Sequence, residues 1–168
     1  MKNNAKKVAL LGLMASVALI LSYFEALLPP IWTAVPGIKM GLPNIAMIFL
    51  LYRFGVKECA AVSFVRIFIV AVLFGNFMTL AYSIAGAFLS ILLMAVCKKS
   101  NLFSVVGTSI VGGVAHNLGQ IIVAIFLFRT VQLGYYMAVL AVTGTIAGIV
   151  VGLAGAFLLN RFKKIRFL

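Results

Sequence analysis

The sequence predicts an all-α integral membrane protein: a six-transmembrane-helix bundle forming a single membrane domain over residues 1–168. Two observations predict this. Of the 168 residues, 65% are hydrophobic and 10% are charged, against roughly 25% charged in an average soluble domain; the mean hydropathy of +1.24 agrees. The apolar residues are also gathered into long runs separated by short Lys/Arg clusters, the pattern of membrane spans and their loops. The same composition excludes disordered, collagen-like and disulfide-scaffold classes.

A crossing helix needs about 20 apolar residues to cover about 30 Å of hydrocarbon. Val8 to Leu28 is the first such run, and Pro29 and Pro30 end it because neither donates a backbone hydrogen bond. Lys2, Lys6 and Lys7 precede it as they would a signal peptide. The run is too long for that, and no small-x-small cleavage site precedes the proline pair. Leu42 to Phe54 is the second run, with Pro43 suited to the first helical position. At about 13 residues it is short, unless it begins in Pro36–Met40 or the bilayer thins around it. Glu58 to Phe74, Phe77 to Val96, Leu102 to Phe128 and Tyr135 to Leu159 follow, each long enough to cross. No internal repeat, soluble domain or long linker interrupts them.

Charge decides whether the short second run crosses. Fourteen Lys and Arg face only Glu25 and Glu58, a formal +12. In a soluble chain this excess would point to nucleic acid, but cations confined to loops report membrane orientation. With six crossings and a cytoplasmic N-terminus, the inner side holds Lys2, Lys6, Lys7, Arg53, Lys57, Lys98, Lys99, Arg161, Lys163, Lys164 and Arg166. Only Lys39 and Arg129 then lie outside, with Arg66 inside the membrane. If the second run does not cross, most of these cations move outside, against the positive-inside rule. Six spans with both termini cytoplasmic is therefore the expectation, in a multi-pass cell-membrane protein. Cys59 and Cys97 lack metal-ligand spacing and fall near the cytoplasm, where a disulfide is not expected.

Ionisable groups within a span are costly and point to function. Arg66 lies roughly 12 Å into the third span, and His116, Asn117 and Gln120 lie roughly 21–27 Å up the fifth, at 1.5 Å per residue. His116 and Gln120 share a helix face. Glu25, Lys39, Asn44, Asn76, Tyr82 and Ser83 also fall in the outer half, while the inner half is apolar. We read this level as a polar pocket near the outer face. With Trp32, Tyr82 and Phe77 near it, the pocket suits a small molecule with an anionic group and an apolar or planar body. Three other readings stand beside it: an Arg66–Glu25 structural pair, inter-helical hydrogen bonding by His116, Asn117 and Gln120, and Lys39 as a plain loop cation. Tyr135 and Tyr136, and Trp32 as well, fit an interfacial aromatic belt.

Small residues form two ridges. Gly144, Gly148 and Gly152, extended by Ala156, favour close packing inside the chain, with Gly112 and Gly113 adding small surface on the fifth span. Ala5, Ala9, Gly12 and Ser16 line one face of the first span, a candidate docking face for a partner subunit. Catalytic signatures are missing. The sequence has no phosphate-binding GxxxxGK[ST] loop, no aspartate, one histidine, and its two acidic residues fall on opposite sides of the bilayer. The expectation is a protein that is not an enzyme and carries no metal or cofactor. Secondary transport is disfavoured by the scarcity of coupling carboxylates.

At Val35-Pro-Gly-Ile-Lys-Met-Gly-Leu-Pro-Asn44, at Arg66 with Phe74-Gly75, and at Ala115-His-Asn-Leu-Gly-Gln120, the chain resembles the Gx transporter family, historically named heptaprenyl diphosphate synthase component I. That family is grouped with the substrate-binding S components of energy-coupling factor (ECF) transporters. The resemblance covers roughly residues 5–160; Pro43 stands where the family is expected to carry a small residue. It implies six helices with an outward-facing site, Lys39, Asn44, Arg66, His116, Asn117 and Gln120 lying nearest the ligand. It also implies docking, through the small-residue face of the first helix, to a transmembrane coupling protein with two cytoplasmic ATPase subunits. The enzymatic family name conflicts with the missing aspartates and is read as a label. The expected function is thus capture of a vitamin-, flavin- or isoprenoid-like molecule for an ATP-driven transporter. The alternatives are a non-catalytic accessory subunit of an isoprenoid-synthesis assembly and a membrane scaffold.

Overall fold

Large apolar side chains cover the outside of this chain, and its inside combines large apolar residues such as Ile48 and Leu50 with small and polar ones. In the computed structural model, which describes residues 2–27 and 41–163, Phe126 is 81% and Phe157 70% exposed. Ala18, Ser63, Thr108 and Ala115 are buried. Water would not tolerate such a surface, whereas lipid favours it and leaves close packing and internal hydrogen bonds to hold the helices together. The molecule is all-helical among the described residues: α1 Lys2–Leu27, α2 Asn44–Arg53, α3 Val56–Phe74, α4 Phe77–Ser100, α5 Val105–Phe128 and α6 Met137–Arg161, with a 3₁₀ turn Val131–Tyr136 leading into α6.

Helix boundaries follow local chemistry. Asn76 and Thr79 form a reciprocal capping box at the start of α4, so Asn76 caps the fourth helix. Ser104 accepts the Gly107 N–H at the start of α5 (3.1 Å). Gly55, at φ 125°, makes the reversal between α2 and α3 that a side chain would oppose. Pro43 occupies the N-cap of α2, one position before the expected one.

Among the described residues four helices are long and apolar enough to cross a membrane: α1, α4, α5, and α6 with its leading turn. The chain is a membrane protein on that count, but the helices by themselves do not supply six crossings. At 19 residues α3 has the length, yet it carries Lys57, Glu58 and Arg66. With 10 residues, α2 is about 15 Å long, half the hydrocarbon thickness. Ala46 through Leu51 are all buried, as expected of a helix apolar on every face. α2 is therefore a core element, packed with Ala18 of α1, Cys59 and Val62 of α3, Met94 of α4 and Val151 of α6.

Its ends are held as well. The Glu25 carboxylate accepts the Gly41 N–H ahead of α2. At the other end Lys98 donates to the Leu51 carbonyl (2.6 Å) and lies over the Tyr52 ring, placing a cation where the helix carbonyls are unpaired. Lys7 of α1 and Glu58 of α3 form an ion pair at 2.6 Å.

The glycine ridge of α6 packs inside the chain. A Cβ on Gly148 would lie 2.6 Å from the Ile110 Cα, and one on Gly152 2.8 Å from the Val106 Cα. Gly144 approaches the Gly113 carbonyl in the same antiparallel register. Gly86 and Gly119 make the matching close approach between α4 and α5.

Candidate functional site

The close approach of α4, α5 and α6 leaves space on the side facing α1, α2 and α3, toward the end of the bundle that holds Phe74 and Gly75. A cavity of about 150 Å³ lies there. Five of the sequence-derived site residues line it: Asn44 of α2, Arg66 of α3, and His116, Asn117 and Gln120 of α5. They converge because His116 and Gln120 repeat at one helix turn, while Gly86 and Gly113 let α4 and α6 draw close on either side.

Arg66 is the cation of the cavity. Its Nη1 donates to the Ser22 hydroxyl at 3.5 Å, at the outer limit of hydrogen-bond geometry. Its buried Nε has no hydrogen-bond partner among the described residues. Among the described residues no Arg66–Glu25 ion pair forms: the Glu25 carboxylate also lines the cavity but is engaged by the Gly41 N–H. Asn117 serves packing in part, its Nδ2 donating to the Leu140 carbonyl of α6 at 2.8 Å. The amino end of α2, from Gly41 to Asn44, opens on the same space, and helix N-termini attract anions.

Two expectations change. Tyr82 does not line the cavity; its hydroxyl is buried elsewhere without a partner. Thr79 and Ser83, one helical turn apart, are the α4 residues that face it, and Tyr82 is rotated from Ser83 by about 100°. Phe77 is 78% exposed and also lies off the cavity, whereas Phe74 lines it. Lys39 and Trp32 lie outside the described residues.

The sequence reading missed Ser22, Thr79 and the glycines Gly75, Gly113 and Gly144 as lining residues. Ser22 stands three residues before Glu25 on the same helical face, which was a usable signal. The glycines carry no side-chain signal at all.

The small-residue face of α1 is open. Ala5, Ala9, Gly12 and Ser16 are exposed, and a Cβ on Gly12 would meet nothing within 4 Å. The opposite face, with Ala18 and Ser22 buried, packs inward. Cys59 and Cys97 are free thiols, both buried.

A family model described as heptaprenyl diphosphate synthase component I matches residues 14–158. Neither the comparison with curated proteins nor that with solved structures gives a match.

Proposed function

The chain belongs to the family of heptaprenyl diphosphate synthase component I, and from that premise we propose that it is a non-catalytic membrane subunit that binds a small anionic molecule around Arg66. One observation carries the proposal: an Arg66 guanidinium whose buried Nε has no partner among the described residues, set in a cavity shared with His116, Asn117, Gln120 and the N-terminus of α2. A buried guanidinium with unmet hydrogen bonding is costly, and an anionic ligand relieves that cost through charge-assisted hydrogen bonds.

The chain crosses the cell membrane six times in this reading, with both termini cytoplasmic. α3, about 28 Å long at 1.5 Å per residue, is one crossing. α2 contributes a shorter one, enclosed by the other helices. The cavity then opens toward the outer side, which fits capture of a solute from outside. Lacking an ATP-binding loop, the subunit depends on partners for translocation. These are a transmembrane coupling protein, docked on the Ala5–Ala9–Gly12–Ser16 face, and two cytoplasmic ATPase subunits, as in ECF transporters.

The family description supports a second reading, a membrane accessory subunit of a prenyl diphosphate synthase. Pull-down from the native membrane separates the two: ATPase subunits support transport, and a soluble prenyl synthase supports the accessory role. Mass spectrometry of the gently purified protein tests the site itself. A stoichiometric co-purified anion, absent from Arg66→Ala, is expected; equal retention by that variant refutes the role of Arg66.

A further inference from the structure

A second hollow lies against the first. Between α3 and α4 an apolar groove of about 390 Å³ runs along the outside of the bundle. Its floor is made by small residues, Ala60 and Ser63 on α3 and Ala87 on α4. Its walls are Phe64 and Phe88, which stand 60% and 69% exposed. Ile67 lines both the groove and the polar cavity, one residue after Arg66. From Ile67 the groove reaches Val56 on α3, and from Ile84 it reaches Ala95 on α4. Eleven residue steps along each helix correspond to about 16 Å.

We propose that the molecule held at Arg66 is a single-chain amphiphile, its anionic headgroup in the polar cavity and its apolar chain passing Ile67 into the α3–α4 groove. The proposal rests on the binding role given to Arg66 above and names the substrate class for that site. Three features select this occupant. Ile67, next to Arg66 in the chain, joins one end of the groove to the cavity that holds the cation, and Ser63 is the sole polar side chain among the described residues lining the groove. The polar cavity alone is small, less than half the volume of the groove. In the orientation proposed above, the headgroup lies in the outer half and the chain descends toward the inner leaflet, as for an amphiphile entering sideways from the outer leaflet. The two phenylalanine walls leave the groove open to lipid, so such a molecule need not pass through water.

An ordinary bilayer lipid shares the chemistry of a phosphate head with an apolar tail, and the test separates the two sources. The full chain is placed in phosphatidylcholine nanodiscs, with affinities of chain-bearing probes expressed as bilayer mole fraction so that partitioning cancels. The probes are monododecyl phosphate, methyl phosphate, dodecanol and two-chain dilauroyl phosphatidic acid. Ala60 is exposed, so Ala60→Trp fills the groove without entering the core; thermal unfolding confirms folding of each variant. Ala60→Trp is expected to weaken dodecyl phosphate about tenfold and leave methyl phosphate within about twofold, whereas Arg66→Gln weakens both. Dodecanol is expected to bind at least about tenfold more weakly than dodecyl phosphate. Unchanged dodecyl phosphate binding in Ala60→Trp, with loss of both phosphates in Arg66→Gln, overturns the groove assignment and leaves the Arg66 site standing. Equal binding of dilauroyl phosphatidic acid overturns the single-chain occupant in favour of a bilayer lipid. Failure of both phosphates to bind the unmodified chain overturns the Arg66 reading itself.

Discussion

Arg66→Met separates a binding role from a structural one, because the two predict opposite effects on stability. A buried cation that holds helices together through an ion pair costs about 3–5 kcal/mol when its partner is left alone. Among the described residues Arg66 forms no such pair: it makes one long hydrogen bond to Ser22, and its buried Nε makes none. The bond lost on substitution contributes at most about 1 kcal/mol. Replacing buried ionic groups by apolar side chains of similar size is often neutral or stabilising by about 1–4 kcal/mol, which offsets this. For a chain of this size 1 kcal/mol shifts the unfolding temperature by about 2–4 °C. The expected outcome is an unfolding temperature unchanged or a few degrees higher. Affinity for an anionic probe is expected to fall by about 30-fold or more, the equivalent of at least about 2 kcal/mol. The assay is thermal unfolding in detergent, with and without methyl phosphate. An unfolding temperature lowered by more than about 6 °C, with anion affinity intact, would refute the reasoning and make Arg66 a structural residue.

Other substitutions probe the packing and the docking face. Gly148→Val places a Cβ against the Ile110 backbone and is expected to cost about 1–3 kcal/mol by overpacking, read as a lowered unfolding temperature. Gly12→Leu meets open space; it is expected to leave unfolding and ligand affinity unchanged and to abolish co-purification with the coupling module, whose normal recovery would count against the α1 docking face. Asn76→Ala removes the capping box of α4 and is expected to cost about 1 kcal/mol, with faster amide hydrogen exchange confined to the first turn. Asn117→Ala, which loses its bond to Leu140, is expected to cost about 0.6–1.7 kcal/mol, read as a lowered unfolding temperature.

The membrane class and the approximate ends of most helices were legible in the sequence, because run length and prolines act locally. Helical periodicity also placed His116 and Gln120 on one face before any neighbour was known. What it left open was which neighbour each face meets. That α2 is a buried core helix, that the Gly144–Gly148–Gly152 ridge meets α5, and that Tyr82 turns away where Thr79 and Ser83 turn in, were decided by packing. An apolar side chain gains nearly the same in lipid as against another helix, so hydrophobicity alone does not tell an inner face from an outer one. Only the fit of specific surfaces does: Ala60 opposite Ala87 leaves a groove, and Gly113 opposite Gly144 closes one. Such complementarity is a property of pairs of helices, and it arises once they pack.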